Sequence, residues 1–192
     1  MIVINQQSQR THIHLLLSLS GMFGSLTSPN FPDPYPGETV LRWNISVPDG
    51  FHIRLYFSYF DVEPSYLCEY DYVKVEAEGE VLALFCGKEN TDTEAVPAQQ
   101  VITSPRNSLS VVLSSDFSNE ERFSGFMAHY SAVDVDECSE HSHEDLLCDH
   151  FCHNYIGGYY CSCRYEFDHI TSFHPASSSI VQCQRVNGII FS

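Results

Sequence analysis

The eight cysteines of this 192-residue chain constrain its fold more than any other feature, because they are so unevenly placed. Cys68 and Cys86 stand alone, whereas Cys138, Cys148, Cys152, Cys161, Cys163 and Cys183 crowd into the last third. An even number with a dense group of six reads as a disulfide framework formed in an oxidising compartment. The cysteine-rich stretch cannot bury much apolar surface, so covalent links must stabilise it.

The residues before that stretch carry a different pattern. In "LRWNISV", Leu41, Trp43, Ile45 and Val47 share one face and Arg42, Asn44 and Ser46 the other, which is the period-two signature of a half-buried strand. "FHIRLYFSYF" alternates likewise, with Phe51, Ile53, Leu55, Phe57 and Tyr59 on one side, and "VLALF" from Val81 and "LSVVL" from Leu109 repeat it. Turn signals separate these runs: "SPNFPDPYPG", "PDG" and "SPRN". Many short strands without a helix signal predict an antiparallel sandwich or barrel. Asn44, with Ile45 and Ser46, forms a glycosylation sequon on the predicted solvent side.

Charge narrows the partners. With 25 acidic against 9 basic residues the net charge is −16, which opposes binding to nucleic acid or an anionic membrane and favours metal cations or a partner's lysines and arginines. No stretch approaches the ~20 apolar residues of a membrane span, so a soluble chain is expected. Residues 1–23 read as a weak signal peptide or a mispredicted start: the apolar run of residues 15–23 is broken by Ser18, Ser20 and Gly21.

Several motifs carry a family resemblance. "GSLTSPNFPDPYP" resembles the opening of a CUB domain, and the Cys68–Cys86 spacing suits the disulfide CUB domains share. "DVDEC" followed by "CHNYIGGYYCSC" resembles a calcium-binding EGF-like module. The order CUB then EGF, with "LCEYDYVKVE" and "SDFSNEERFSGF", resembles the N-terminal part of the complement-initiating serine proteases over roughly residues 22–164. The resemblance implies a mainly β chain: a jelly-roll-like antiparallel β-sandwich (CUB, 24–133), a small disulfide-rich calcium-binding EGF-like domain (134–183), and an unassigned tail (184–192). It implies the pairs Cys68–Cys86, Cys138–Cys152, Cys148–Cys161 and Cys163–Cys183. The last pair departs from the family, because nineteen residues separate its cysteines. The family continues into a second CUB, complement control modules and a protease domain, so a short natural product and an incomplete gene model are both expected readings.

Two calcium sites follow from the resemblance, one per domain. Calcium takes six to eight oxygen ligands, so carboxylates and carbonyls must converge. In the EGF-like domain, Asp134, Asp136, Glu137 and Cys138 meet the entry pattern, and Cys152, Asn154, Tyr159 and Cys161 the second half. The implied ligands are the side chains of Asp134, Glu137 and Asn154 and the main-chain carbonyls of Val135, Tyr155 and Gly158. In the CUB domain they are Glu63, Asp71 and Asp116, with main-chain oxygens from Ser118 and Asn119. Three carboxylates around one Ca²⁺ leave a net −1, so this site can also accept a lysine ammonium. The partner-binding residues implied are Glu63 and Asp116 for that ammonium, and Tyr70 and Phe117 for the lysine's methylenes; as plain residues, the two aromatics read equally as core.

Other chemistries fit less well. His141, His143, His150 and His153 lie near Cys148 and Cys152, but a zinc site would use cysteines that the framework needs. There is no Gly-Asp-Ser-Gly-type nucleophile segment, no His-Cys serine-protease motif and no His-Glu-x-x-His helix, so no catalytic residues are assigned. The expected function is that of a secreted, non-catalytic interaction module. It would form a homodimer, or a heterodimer with related proteases, and bind the collagen-like stalks of mannan-binding lectin and ficolins. The alternatives are the N-terminal fragment of a complement serine endopeptidase, or a segment of a developmental metalloprotease or matrix protein. The second is disfavoured because CUB domains there usually carry four cysteines.

Overall fold

In the computed structural model the described residues are 13–117, 122–140, 147–164, 167–168 and 184–185. They divide into two units between Val133 and Asp134, with Pro48–Phe51 grouped with the second.

The first unit holds nine strands: β1 (Ile13–Leu19), β2 (Phe23–Thr27), β3 (Thr39–Ser46), β4 (Phe51–Asp61), β5 (Tyr72–Ala77), β6 (Glu80–Phe85), β7 (Val101–Thr103), β8 (Ser108–Ser114) and β9 (Gly125–Asp134). They form a five-stranded sheet in the order β1-β3-β8-β5-β6 and a four-stranded sheet in the order β2-β9-β4-β7. The chain is mainly β, a sandwich followed by a small disulfide-rich module. Period-two alternation turns Leu41, Trp43 and Ile45 of β3, Ile53, Leu55 and Phe57 of β4, and Leu109, Val111 and Leu113 of β8 into the interior. Trp43 and Phe57 each meet the Phe126 ring edge-on, at 5.4 and 5.6 Å between centroids, which locks one sheet to the other.

Two details depart from the alternation. Tyr59 is 43% exposed instead of buried, because the inward side of β4 slips by one residue: Phe60 packs edge-on against Phe57 and Phe85 in its place. Val81 is 57% exposed, since β6 is the sheet edge and a register shift between Val75 and Glu76 breaks its phase.

β1 lies within the segment expected to be a leader or a misassigned start. It runs parallel to β3, pairing Leu15 with Leu41, Leu17 with Trp43 and Leu19 with Ile45, and those three leucines are half-buried. Asn44 faces away from the core on β3; its Oδ1 accepts a hydrogen bond from Ser110 Oγ at 2.8 Å.

The second unit is small. A short helix α1 (Glu137–Glu140) precedes the hairpin of β10 (Phe151–Tyr155) and β11 (Gly158–Ser162), whose turn holds Gly157 at φ +86°. Residues β12 (Phe167–Asp168) and β13 (Gln184–Arg185) pair antiparallel. The bonds Cys138–Cys152 and Cys148–Cys161 tie the hairpin down, and Cys68–Cys86 sits in the sandwich. Cys183 of the remaining expected pair, Cys163–Cys183, lies outside the described residues.

Candidate metal centre

The antiparallel pairing of β5 with β8 sets Tyr72 opposite Ser114, so Asp71 and Asp116 emerge at the same end of the sandwich. Glu63 joins them from the end of β4, where a bridge between Val62 and Gly87 holds the departing chain. Carboxylate oxygens of Glu63, Asp71 and Asp116 all lie within 4.8 Å of one another. Residues distant in sequence therefore share one corner.

Asp71 is fully buried. Its Oδ2 accepts the Tyr35 hydroxyl at 2.6 Å and its Oδ1 accepts the Asp116 N–H at 2.7 Å, while the Tyr35 oxygen accepts the Glu63 N–H at 3.1 Å. Asp71 itself holds Asp116, and the residue that links Asp71 to Glu63 is Tyr35. Sequence reasoning missed it; the only signal was an aromatic between Pro34 and Pro36 in a turn-rich run. Burial pushes the Asp71 carboxyl above the ordinary aspartate range, and the neighbouring Asp116 charge adds to that, against the two hydrogen bonds that favour ionisation. Burial likewise raises the Tyr35 hydroxyl, aided by its bond to Asp71, so it stays protonated and donates.

Like charges at such a separation repel by about 3 kcal/mol per pair at an effective dielectric of about 20. A cation between them removes that repulsion. The donors are all oxygen, with neither sulfur nor imidazole, which suits a hard divalent ion such as Ca²⁺ and not zinc. Ser118 and Asn119, expected to add main-chain oxygens, lie outside the described residues. Tyr70 is 52% and Phe117 80% exposed, so the core alternative for these aromatics fails: both face solvent beside the acids they follow or precede.

In the second unit Asn154 Nδ2 donates to Asp134 Oδ2 at 3.0 Å, and the Gly157 N–H donates to Asp134 Oδ1. Two of the expected side-chain ligands therefore touch. A calcium ion would require the amide oxygen of Asn154 in place of its nitrogen. Glu137 starts α1, with Oε2 shielded from solvent. Tyr155 and Gly158 pair across the hairpin, and the Val135 N–H donates to the Gly50 carbonyl at 3.0 Å. Cys148 and Cys152 are bonded to other cysteines, His153 meets Ser162 Oγ at 2.8 Å, and His150 Nδ1 accepts the Arg164 N–H, so these groups are not gathered around a metal; His141 and His143 lie outside the described residues.

Comparison with known proteins agrees with this architecture. The CUB domain family profile matches residues 17–130. Human "Mannan-binding lectin serine protease 1" is 62% identical over 151 residues, which is 79% of this chain but only 22% of that protein. The chain thus spans about a fifth of the curated relatives it matches. Among solved structures, the CUB1-EGF-CUB2 domains of rat MASP-1 superpose with a TM-score of 0.75 at 60% identity, covering 80% of this chain and 55% of that one. The MASP-1 CUB2 domain bound to Ca²⁺ superposes with a TM-score of 0.51 at 30% identity, covering 60% of this chain and 96% of that one. A related CUB domain therefore binds calcium, and the acidic corner here is consistent with such a site.

Proposed function

The chain belongs to the CUB domain family, as a CUB–EGF region closely related to MASP-1, and from this we propose that it is an extracellular, calcium-dependent protein-interaction module that grips lysines on the collagen-like stalks of mannan-binding lectin and ficolins. The observation that carries the reading is the corner where Glu63, Asp71 and Asp116 converge within 4.8 Å around a buried aspartate. Asp71, held by Tyr35 and by the Asp116 backbone, anchors a calcium ion; Glu63 and Asp116, half-buried, complete the cage and keep oxygens toward solvent. Three carboxylates and one Ca²⁺ sum to −1, so a single ammonium neutralises the site. Because the ion fixes the acids beforehand, the partner's lysine orders little on arrival. A second ion at Asp134, Glu137 and Asn154 would rigidify the disulfide-rich module, and disulfides themselves favour an extracellular setting. The same module would pair with a second copy or a related protease.

The coverage of 22% of the protease relative supports two uses of the same residues: a non-catalytic regulator that competes for the stalks, or the docking end of a complement serine endopeptidase. Full-length transcripts separate them. The function shared by both is tested by surface plasmon resonance on immobilised mannan-binding lectin. Binding is expected to vanish in excess chelator and in Glu63→Ala or Asp116→Ala, with melting temperatures in calcium-free buffer no lower than the parent's, since each substitution relieves repulsion among the acids. Equal binding with and without chelator refutes the proposal.

A further inference from the structure

The loop 64–70 is bracketed by the two acids Glu63 and Asp71, and it is built with unusual care. Ser65 is buried; its Oγ accepts the Tyr70 N–H at 3.2 Å and its carbonyl accepts the Cys68 N–H at 3.1 Å. Cys68 is bonded to Cys86, and the Leu67 N–H donates to the Thr93 carbonyl at 3.0 Å. Within this clamp Leu67 and Cys68 both adopt left-handed backbone, at φ +53° and +56°. Two consecutive non-glycine residues in that region are rare and strained, and persist only where their surroundings impose them. What the strain achieves is visible: Tyr66 is 64% and Leu67 60% exposed. Leu67 is four residues from each acid, hence within about 14 Å of either by chain reach.

We propose that Tyr66 and Leu67 form an apolar collar of the metal centre, which packs against the apolar residues flanking the lysine on a triple-helical partner. This rests on the proposed lysine-gripping function and adds what that function lacks, a means of choosing among lysines. A net −1 site attracts any exposed ammonium, so the charge alone distinguishes poorly. A leucine and a tyrosine held outward beside it favour a lysine set among prolines and aliphatic side chains over one set among polar residues. Charge complementarity brings the stalk to this corner; the collar reads its neighbours.

The test uses the full chain in calcium and two triple-helical peptides, each with one lysine per strand, flanked in one by proline and leucine and in the other by serine. Leu67→Asn is the main variant, because asparagine tolerates left-handed backbone and the loop keeps its shape. Tyr66→Ser is the second, at a position without that strain. The parent is expected to prefer the apolar-flanked peptide about five-fold, as for one moderate interface anchor, and each variant to lose most of that preference through faster dissociation. Calcium affinity by calorimetry should not change. Variants that keep the parent's preference, or lose it together with calcium affinity, overturn the collar while Glu63→Ala still abolishes binding. If Glu63→Ala also binds like the parent, the lysine-gripping function itself is wrong.

Discussion

Tyr35 makes the acidic corner depend on a residue that is not itself a carboxylate. Its hydroxyl donates to the buried Asp71 and accepts from the Glu63 backbone, so Tyr35→Phe removes both bonds without changing the ring. Leaving the Asp71 oxygen short of a donor in the interior should cost about 1–3 kcal/mol of calcium-free stability. Calcium affinity should fall at least about tenfold, as when a hydrogen-bond donor that orients a metal-ligating carboxylate is lost. Calorimetric titration checks this, and an unaltered dissociation constant would show that Asp71 needs no such support. The acids themselves were legible, because "VEPSYLCEYD" and "SSDFSN" carry a family pattern. Tyr35 was not, since its contact with Asp71 spans 36 residues and exists only once the sandwich closes. Exposure of Tyr70 and Phe117 was undecidable from sequence for a similar reason: an aromatic beside an acid has no period that says which way it points.

At the level of strands, alternation gave the interior of β3, β4 and β8 but failed where a strand ends or borders solvent, at Tyr59 and Val81. β1 shows a deeper ambiguity. The same leucines serve as the apolar heart of a leader or as the inward row of a parallel edge strand, and a short apolar run has no feature that distinguishes the two. The outer face of the five-stranded sheet also carries a measurable charge effect. Glu76 of β5 is held by Lys74 at 2.9 Å and by Arg42 of β3, which reaches across β8. The hydrogen bond from Lys74, then that from Arg42, lowers its carboxyl below the ordinary glutamate value of 4.5. A depressed carboxyl contributes stability above its unfolded pKa and loses it as pH falls through the folded one. Glu76→Gln should therefore cost about 0.5 kcal/mol at pH 7, as for other partly exposed pairs. The gap to the parent should shrink on acidification below 4.5, and denaturant melts that remain offset by the same amount throughout would exclude the ion pairs as its cause.

Across the whole molecule, the two units are stabilised by different means. The sandwich has a continuous apolar interior, whereas the only buried apolar side chains among the described residues of the second unit are Cys148 and Cys161. Loop-closure entropy does not distinguish the bonds: separations of 18, 14 and 13 residues each correspond to about 3 kcal/mol. Access should decide their order of reduction. Cys86 is fully buried and Cys68 nearly so, inside a core that must open before a thiolate can reach the bond. Cys138 and Cys152 are half-buried, and no apolar layer covers them. Rising reductant at neutral pH should open Cys138–Cys152 first. Hydrogen exchange should then accelerate over residues 151–162 while residues 41–45, 53–57 and 109–113 stay protected. Mass spectrometry that found Cys68–Cys86 reduced at the same concentration would mean that the sandwich opens as readily as the hairpin, and that its core does not shield the bond beside the acidic corner.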